Sequence, residues 1–126
     1  MILRVARHTA DLQKIRSFYL DILGFQLLGQ FEKHNGYDGI FIGKAGSNWH
    51  LEFTASNEKP THQSDEDDVI VLYPENKTDY ETLIHKISEN HVTFIPSKNP
   101  YWNKNGKMIV DPDGFGIIIS PLKIKL

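Results

Sequence analysis

Four residues in the first half of the chain carry the side chains best suited to chemistry. His50 and Glu52 are two apart in a strand-like run, so their side chains share one face of that strand about 7 Å apart. Arg4 and His8 share one face of an earlier strand-like run. Two imidazoles and a carboxylate are enough to hold iron(II) or zinc if they converge. The guanidinium of Arg4 beside them would repel such a cation.

The first half of the chain predicts one helix and four strands in the order β-α-β-β-β. Residues 9–11 offer side chains that cap a helix, and apolar residues at helical spacing follow as far as Gly24, a residue suited to end a helix. Asn35-Gly36 is a strong signal for a tight hairpin turn. The four strand-like runs cover residues 2–8, 25–31, 37–43 and 49–54.

The second half repeats this order as a pattern. Thr78 and Glu81 predict a capping box at the start of its helix, and the turn residues of Asp111-Pro112-Asp113-Gly114 predict a closing hairpin. A polar stretch between the halves is typical of a solvent-exposed linker. We therefore expect one domain over residues 1–126, with modules at 1–56 and 69–126 and a linker at 57–68. The strand-like runs of the second module are 69–73, 92–95, 108–110 and 115–119.

Composition excludes several classes of function. The 126 residues are 40% apolar and 24% charged, as in one ordinary soluble domain, and the net charge of -2 argues against a nucleic-acid partner. No apolar run approaches the roughly 18 residues of a membrane span, and the first residues lack the apolar core of a signal peptide. The absence of cysteine excludes disulfides and thiolate chemistry. A cytoplasmic protein is expected.

Several short motifs, taken together and in order, resemble a known family. They are Ala10-Asp11-Leu12, the run Phe-Tyr-Leu-Asp-Ile-Leu-Gly-Phe at 18–25, His50-Leu51-Glu52-Phe53, and the Asp-Pro-Asp-Gly turn at 111–114. The chain resembles the vicinal oxygen chelate superfamily, which includes glyoxalase I, bleomycin-resistance proteins, fosfomycin-modifying enzymes and extradiol dioxygenases. The resemblance implies an α+β fold, with two tandem βαβββ modules whose curved mixed sheets form a cleft. It also implies a homodimer, with the cleft completed within one chain or across two.

The resemblance also locates the positions at which enzymes of this superfamily hold a divalent ion. These positions fall on Arg4, Glu52, Val69 or Ile70, and Ile118. An arginine cannot act as a ligand, and apolar side chains have no donor atom, so only Glu52 is suitable. We therefore expect no cofactor, with Glu52 paired to Arg4 in the cleft because a buried carboxylate needs a partner. A divalent metal held by His8, His50 and Glu52 stays open as the alternative.

Tyr101 and Trp102 lie in a polar stretch just before the closing hairpin. Large aromatic side chains there either stack on a planar or cationic ligand at the mouth of the cleft, or pack against a partner subunit or the linker. With Arg4, His8, His50 and Glu52, they complete the expected ligand-binding set.

Two functions follow from the resemblance. The first is a protein that binds a small organic molecule, of the bleomycin-resistance kind, without the usual metal centre. The second is a divalent-metal-dependent lyase or transferase of the glyoxalase or fosfomycin-modifying kind. In that enzyme Glu52 would be the catalytic residue, as a metal ligand or general base, with His8 or His50 assisting.

Overall fold

The computed structural model describes residues 1–122 and divides the chain into two compact units, Met1–His62 and Gln63–Leu126. Each unit combines helices with a sheet of mixed strands, so the α+β class expected from the sequence is confirmed. The last four positions of the expected second module, 123–126, lie outside the described residues. None of the helices within 1–122 has the length and apolar character that crossing a bilayer requires.

The first unit follows the predicted β-α-β-β-β order. Its sheet has the strand order β1-β4-β3-β2, in which β1 is parallel to β4 and the other neighbours are antiparallel. The helix α1 continues directly into a wider π-helical turn before the second strand. The elements are β1 (Leu3–His8), α1 (Leu12–Arg16), the π-helical segment (Ser17–Ile22), β2 (Gln26–His34), β3 (Tyr37–Gly43) and β4 (Trp49–Ala55).

The helical segment covers one face of this sheet. Asp11 caps its start, because the carboxylate accepts the backbone N–H of Lys14 at 3.0 Å, and Gly24 ends it with a φ of 78°. The buried ring of Tyr19 packs on Phe53 with 4.9 Å between ring centroids. Since side chains alternate along a strand, the neighbours of Phe53 on β4 point to the opposite face.

The hairpin between β2 and β3 is confirmed. Asn35 and Gly36 both have positive φ values, 52° and 85°, as a type I′ turn requires. This turn pairs the two strands, although β2 contains irregularities that shift its register.

The second unit contains a three-stranded sheet in the order β5-β7-β6. The central strand β7 is buried along its whole length, which explains its continuous apolar sequence. Gly116 leaves room for the Met108 side chain, because an added Cβ would lie 2.6 Å from its Cε and would force that flexible side chain to move. The elements are β5 (Val69–Leu72), α2 (Lys77–Glu89), α3 (Pro100–Asn105), β6 (Lys107–Val110) and β7 (Gly116–Ile119).

The closing hairpin of the second unit is confirmed at its turn. The backbone N–H of Gly114 donates to the carbonyl of Asp111 at 2.9 Å. The buried carboxylate of Asp111 also accepts the N–H groups of Asp113 and Phe115, at 2.9 and 3.0 Å. The side chain and main chain of Asp111 therefore fix the turn together.

Three local expectations for the second unit are wrong. The strand expected at 92–95 is reduced to one bridge between Ile95 and Met108, because Pro96 has no N–H with which to extend a ladder. The helix α2 is capped by Asn76 rather than by Thr78. The stretch expected as a polar loop forms α3, since Asn99 caps it and a proline follows in its first turn.

Candidate functional site

The strand register of the first unit brings Arg4, Phe41, His50 and Glu52 to one face of the sheet. Arg4 lies directly opposite His50 across β1 and β4, and Glu52 lies opposite Phe41 across β3 and β4. Directly opposed residues point to the same side of a sheet, and this side is opposite the one that packs on Tyr19. We call the surface formed by these four residues the Arg4 face.

Arg4 is held at two points on this surface. Its Nε–H donates to Nε2 of His50 at 2.9 Å, which requires a neutral imidazole with its proton on Nδ1. Its Cζ lies 4.6 Å from the ring centroid of Phe41, a cation–π distance. Phe41 also contacts the His50 ring at 5.9 Å. The N–H groups on Nη1 and Nη2 of Arg4 have no acceptor within the part of the chain that the structure describes.

The prediction that Arg4 and Glu52 form an ion pair is wrong. The register places His50 beside Arg4 and moves Glu52 two residues further along β4, opposite Ala6. The guanidinium is therefore bound to the imidazole instead of the carboxylate. Glu52 is half-buried, and among residues 1–122 it has neither an ion pair nor a side-chain hydrogen bond.

His8 lies far along β1 from the position opposite His50, although it is a diagonal neighbour of Glu52 across β1 and β4. It is four residues from Arg4 on β1, a distance of about 13 Å along an extended strand. Its Nε2 is 3.0 Å from Oγ of Ser56, and its ring lies edge-on to Tyr37 with 6.3 Å between centroids. The structure therefore separates His8 from His50, and no group of three or more His, Asp or Glu within 1–122 is placed to hold a metal ion.

The donor set of the Arg4 face does not fit the metal centre implied by the superfamily. The Nε2 lone pair of His50 already accepts a hydrogen bond from a permanently charged guanidinium, which opposes a cation at the same place. In the second unit, Ile118 is fully buried and apolar, and Val69 and Ile70 offer no donor atom. We therefore derive no chemical step through a metal at these positions.

Tyr101 and Trp102 lie together on α3 of the second unit. Their rings meet edge to face with 4.8 Å between centroids, and Tyr101 is exposed over 47% of its surface. Trp102 borders a surface cavity of about 360 Å³ with charged and polar neighbours. The other residues that line this cavity are Glu66, Asp67, Val69, Ser97, Lys98, Asn99 and Pro100.

Two contacts of the candidate site were not identified from the sequence. Phe41 was recognisable as a strand aromatic, but its place under the Arg4 guanidinium depends on the register of three strands. Ser56, which bonds His8, lies just beyond β4 at the start of the expected linker. Alternation within each strand could have shown that Phe41 shares a face with Tyr37, which meets His8.

Comparison with known proteins adds relatives to this description. A YycE-like N-terminal domain model matches residues 3–54, and a YycE-like C-terminal domain model matches residues 67–120. The uncharacterized protein YycE of Bacillus subtilis is 35% identical over 125 residues, covering 96% of this chain and 88% of that protein. A crystal structure of a YycE protein of unknown function from Bacillus subtilis has a TM-score of 0.89 at 34% identity, over 98% of this chain and 91% of that one.

More distant structures share the fold. Leishmania major glyoxalase I, which is described as trypanothione-dependent, has a TM-score of 0.73 at 22% identity, over 95% of this chain and 85% of that one. TnmS3, an antibiotic binding protein from Streptomyces sp. CB03234, has a TM-score of 0.64 at 22% identity, over 95% and 93% of the two chains.

The fold and these similarities define a protein of the vicinal oxygen chelate superfamily, as the sequence motifs predict. Within that superfamily, the extent and identity of the match with the Bacillus subtilis protein mean that the chain belongs to the YycE-like family.

Proposed function

We propose that this protein binds a small organic molecule on the Arg4 face, with the fixed charge of Arg4 where metal-dependent relatives hold an ion. The observation that carries the proposal is how the Arg4 guanidinium is held. It is anchored by His50 and Phe41, while its Nη donors stay available to a ligand. An arginine fixed in this way loses little freedom when it binds, which favours recognition.

The surroundings of Arg4 support a ligand with an apolar part. Phe41 contacts Phe31 with 5.7 Å between ring centroids, and both rings are half-buried on the same side of the sheet. A small number of polar groups beside aromatic side chains is typical of small-molecule sites. TnmS3, which has the same fold, is described as an antibiotic binding protein. In this proposal the protein acts as a homodimer.

The proposal is tested by nuclear magnetic resonance of the imidazole nitrogens while a panel of small aromatic compounds is titrated. Binding on the Arg4 face shifts the His50 signals and leaves those of His85, on α2 of the other unit, unchanged. Arg4→Gln should weaken binding about tenfold or more, because it removes a charged donor. The matched control Arg7→Gln removes a charge from the other face of β1, where Arg7 lies 5.1 Å from the Phe53 ring centroid. Equal binding by both variants would contradict the proposal.

A second candidate function is catalysis, and Glu52 is the observation that favours it. A half-buried carboxylate with no hydrogen-bond or ion-pair partner among residues 1–122 is available as a general base. In such an enzyme, of the lyase or transferase kind found among glyoxalases and fosfomycin-modifying proteins, Glu52 would accept a proton from the substrate. Arg4 would then stabilise the negative charge that develops on a substrate oxygen.

Catalysis is tested with the same compound panel and with Glu52→Gln. This variant keeps the shape of the side chain but removes the base, so turnover should fall at least about a hundredfold while binding persists. Glu32→Gln, an exposed change on β2, is the control. Turnover that survives chelation and is lost in Glu52→Gln would establish general-base chemistry. Binding without turnover in wild-type protein would contradict catalysis and leave binding as the remaining function.

A further inference from the structure

Besides the apolar part described above, the ligand must suit the charges of both Arg4 and Glu52. The inference drawn from these two residues rests on the function proposed above. The two residues are diagonal neighbours on adjacent strands, with their Cα atoms roughly 8 Å apart from the standard strand spacing and rise. Both side chains are long enough to reach one small molecule. They differ in charge, yet they do not pair with each other, because His50 and Phe41 hold the guanidinium.

The free donors of Arg4 select an anionic oxygen group. The Nη atoms present parallel N–H groups that match the two oxygens of a carboxylate, or two oxygens of a phosphonate or phosphate. His50 cannot neutralise Arg4, since the hydrogen bond between them uses the neutral imidazole. The positive charge on this part of the surface therefore stays available to a ligand.

Glu52 makes a simple anion a poor ligand. The carboxylate lies directly across from Phe41, the ring over which the guanidinium sits, so an anion bound to Arg4 comes close to a second negative charge. Like charges at short range repel, and more strongly where they are partly shielded from water. A hydroxyl or ammonium group next to the anionic group of the ligand would donate to Glu52 and remove this repulsion. It would also provide the partner that a half-buried carboxylate needs.

We infer that the ligand of the Arg4 face carries an anionic oxygen group and, on the adjacent carbon, a hydrogen-bond donor. Arg4 binds the anion, Glu52 accepts the neighbouring donor, and Phe41 with Phe31 contacts an apolar remainder. A 2-hydroxy or 2-amino carboxylate with an aromatic substituent is the simplest member of this class. The corresponding phosphonate has the same chemistry.

Four probes with one phenyl group separate the requirements. Mandelate and phenylglycine carry both groups, phenylacetate carries only the anion, and 1-phenyl-1,2-ethanediol carries only the donors. Binding is measured by the His50 nitrogen signals and by the shift in thermal unfolding. We expect mandelate or phenylglycine to bind about tenfold more tightly than phenylacetate, and the neutral diol to bind most weakly.

Variants assign these preferences to residues. Arg4→Gln should weaken every anionic probe about tenfold or more and leave the diol unchanged. Glu52→Gln should bring phenylacetate to within about twofold of mandelate, because it removes the repulsion. Arg7→Gln and Glu32→Gln are the matched controls and should leave the order of the probes unchanged.

The possible failures are distinguishable. Binding of the diol as tight as that of mandelate, or a preference for mandelate over phenylacetate that is as large in Glu52→Gln as in the wild type, would overturn the inferred ligand class and leave small-molecule binding on the Arg4 face intact. Failure of all four probes and of the panel of small aromatic compounds to shift the His50 signals, in a protein that unfolds cooperatively, would overturn the proposed function as well.

Discussion

The charge of Arg4 is part of the chain, unlike that of a bound metal ion. A bound metal is lost on chelation and depends on ligands that must release protons, whereas a guanidinium is covalently part of the side chain and needs no ligands of its own. The cost is a weaker and more diffuse charge than that of a divalent cation. His50 and Phe41 offset this cost in part, because they fix where that charge lies.

If Arg4 is what opposes a metal, its replacement by a ligand should create a site. Arg4→His removes the fixed charge and places a second imidazole opposite His50, diagonal to Glu52. Two imidazoles and a carboxylate suit zinc. We expect isothermal titration to show zinc binding at least about tenfold tighter than in the wild-type protein.

The control for this experiment is Arg7→His, which adds the same side chain to the opposite face of β1, above Phe53. An equal gain in zinc affinity in both variants would mean that any added surface histidine has this effect. No gain in Arg4→His would show that the backbone positions of the Arg4 face cannot converge on an ion.

At the scale of single residues, the sequence predicts which side chains share a strand face but not which of them touch. His50 and Glu52 had to lie on the same side of β4 because the alternation of a strand is fixed. Whether Arg4 meets one or the other depends on the register between strands 46 residues apart in sequence. A shift of two residues would exchange the imidazole for the carboxylate, and nothing local to either strand sets that shift.

Among the elements, the turn at Asp111 is the most sharply defined by its sequence, and its stability can be tested. Asp111→Ala removes an acceptor for two backbone N–H groups inside a buried turn, so the free energy of unfolding should fall by about 2–4 kcal/mol. Urea denaturation followed by circular dichroism measures the loss. Asp111→Asn keeps one acceptor oxygen and should lose about half as much.

Asp65→Ala is the control for the turn. Its carboxylate accepts the N–H of Asp67 at 2.8 Å, but this bond is exposed to water, so the expected change stays within about 0.5 kcal/mol. Similar losses at Asp65 and Asp111 would show that burial of the turn contributes little.

The elements that were predicted correctly are those with a strong local cause. Asn35-Gly36 admits the positive φ values of a type I′ turn, and this pair predicts the first hairpin from the sequence. The failures occurred where two local signals competed. Asn76 and Thr78 are both capping residues, and the structure uses the earlier one. The strand expected at 92–95 has β-prone residues, but only Ile95 has a partner within the described sheet.

In the molecule as a whole, both units begin with a strand and a helix and end with a strand parallel to the first, but the second sheet has three strands where the first has four. The first unit carries the charged residues of the Arg4 face. The resemblance matches Glu52 of that face to Ile118 on β7, which is apolar and fully buried. The shared part of the plan could be predicted because patterns of strands and turns persist when identities change. The difference between the units could not, because burial on both faces of β7 arises from tertiary packing.

We expect a second copy of this chain to cover the edge of the first sheet. Ile2, Leu3 and Val5 are exposed over 72%, 60% and 53% of their surfaces, and β1 has a neighbour on only one side within the described sheet. Exposed apolar residues along an edge strand are unfavourable unless another surface covers them. The homodimer implied by the superfamily would cover them.

We therefore expect a dimer in native mass spectrometry and light scattering, and its loss in a Leu3→Lys, Val5→Lys double variant. Because Leu3 and Val5 alternate with Arg4 along β1, the charges enter on the opposite side and leave the Arg4 face unchanged. A Thr61→Lys, Thr93→Lys double variant adds the same charge at exposed polar positions and should stay dimeric. A monomeric wild-type protein, or a dimer that survives the Leu3 and Val5 changes, would mean that this edge faces water. Ligand binding by a monomeric double variant at wild-type affinity would then show that one chain is sufficient to form the Arg4 face.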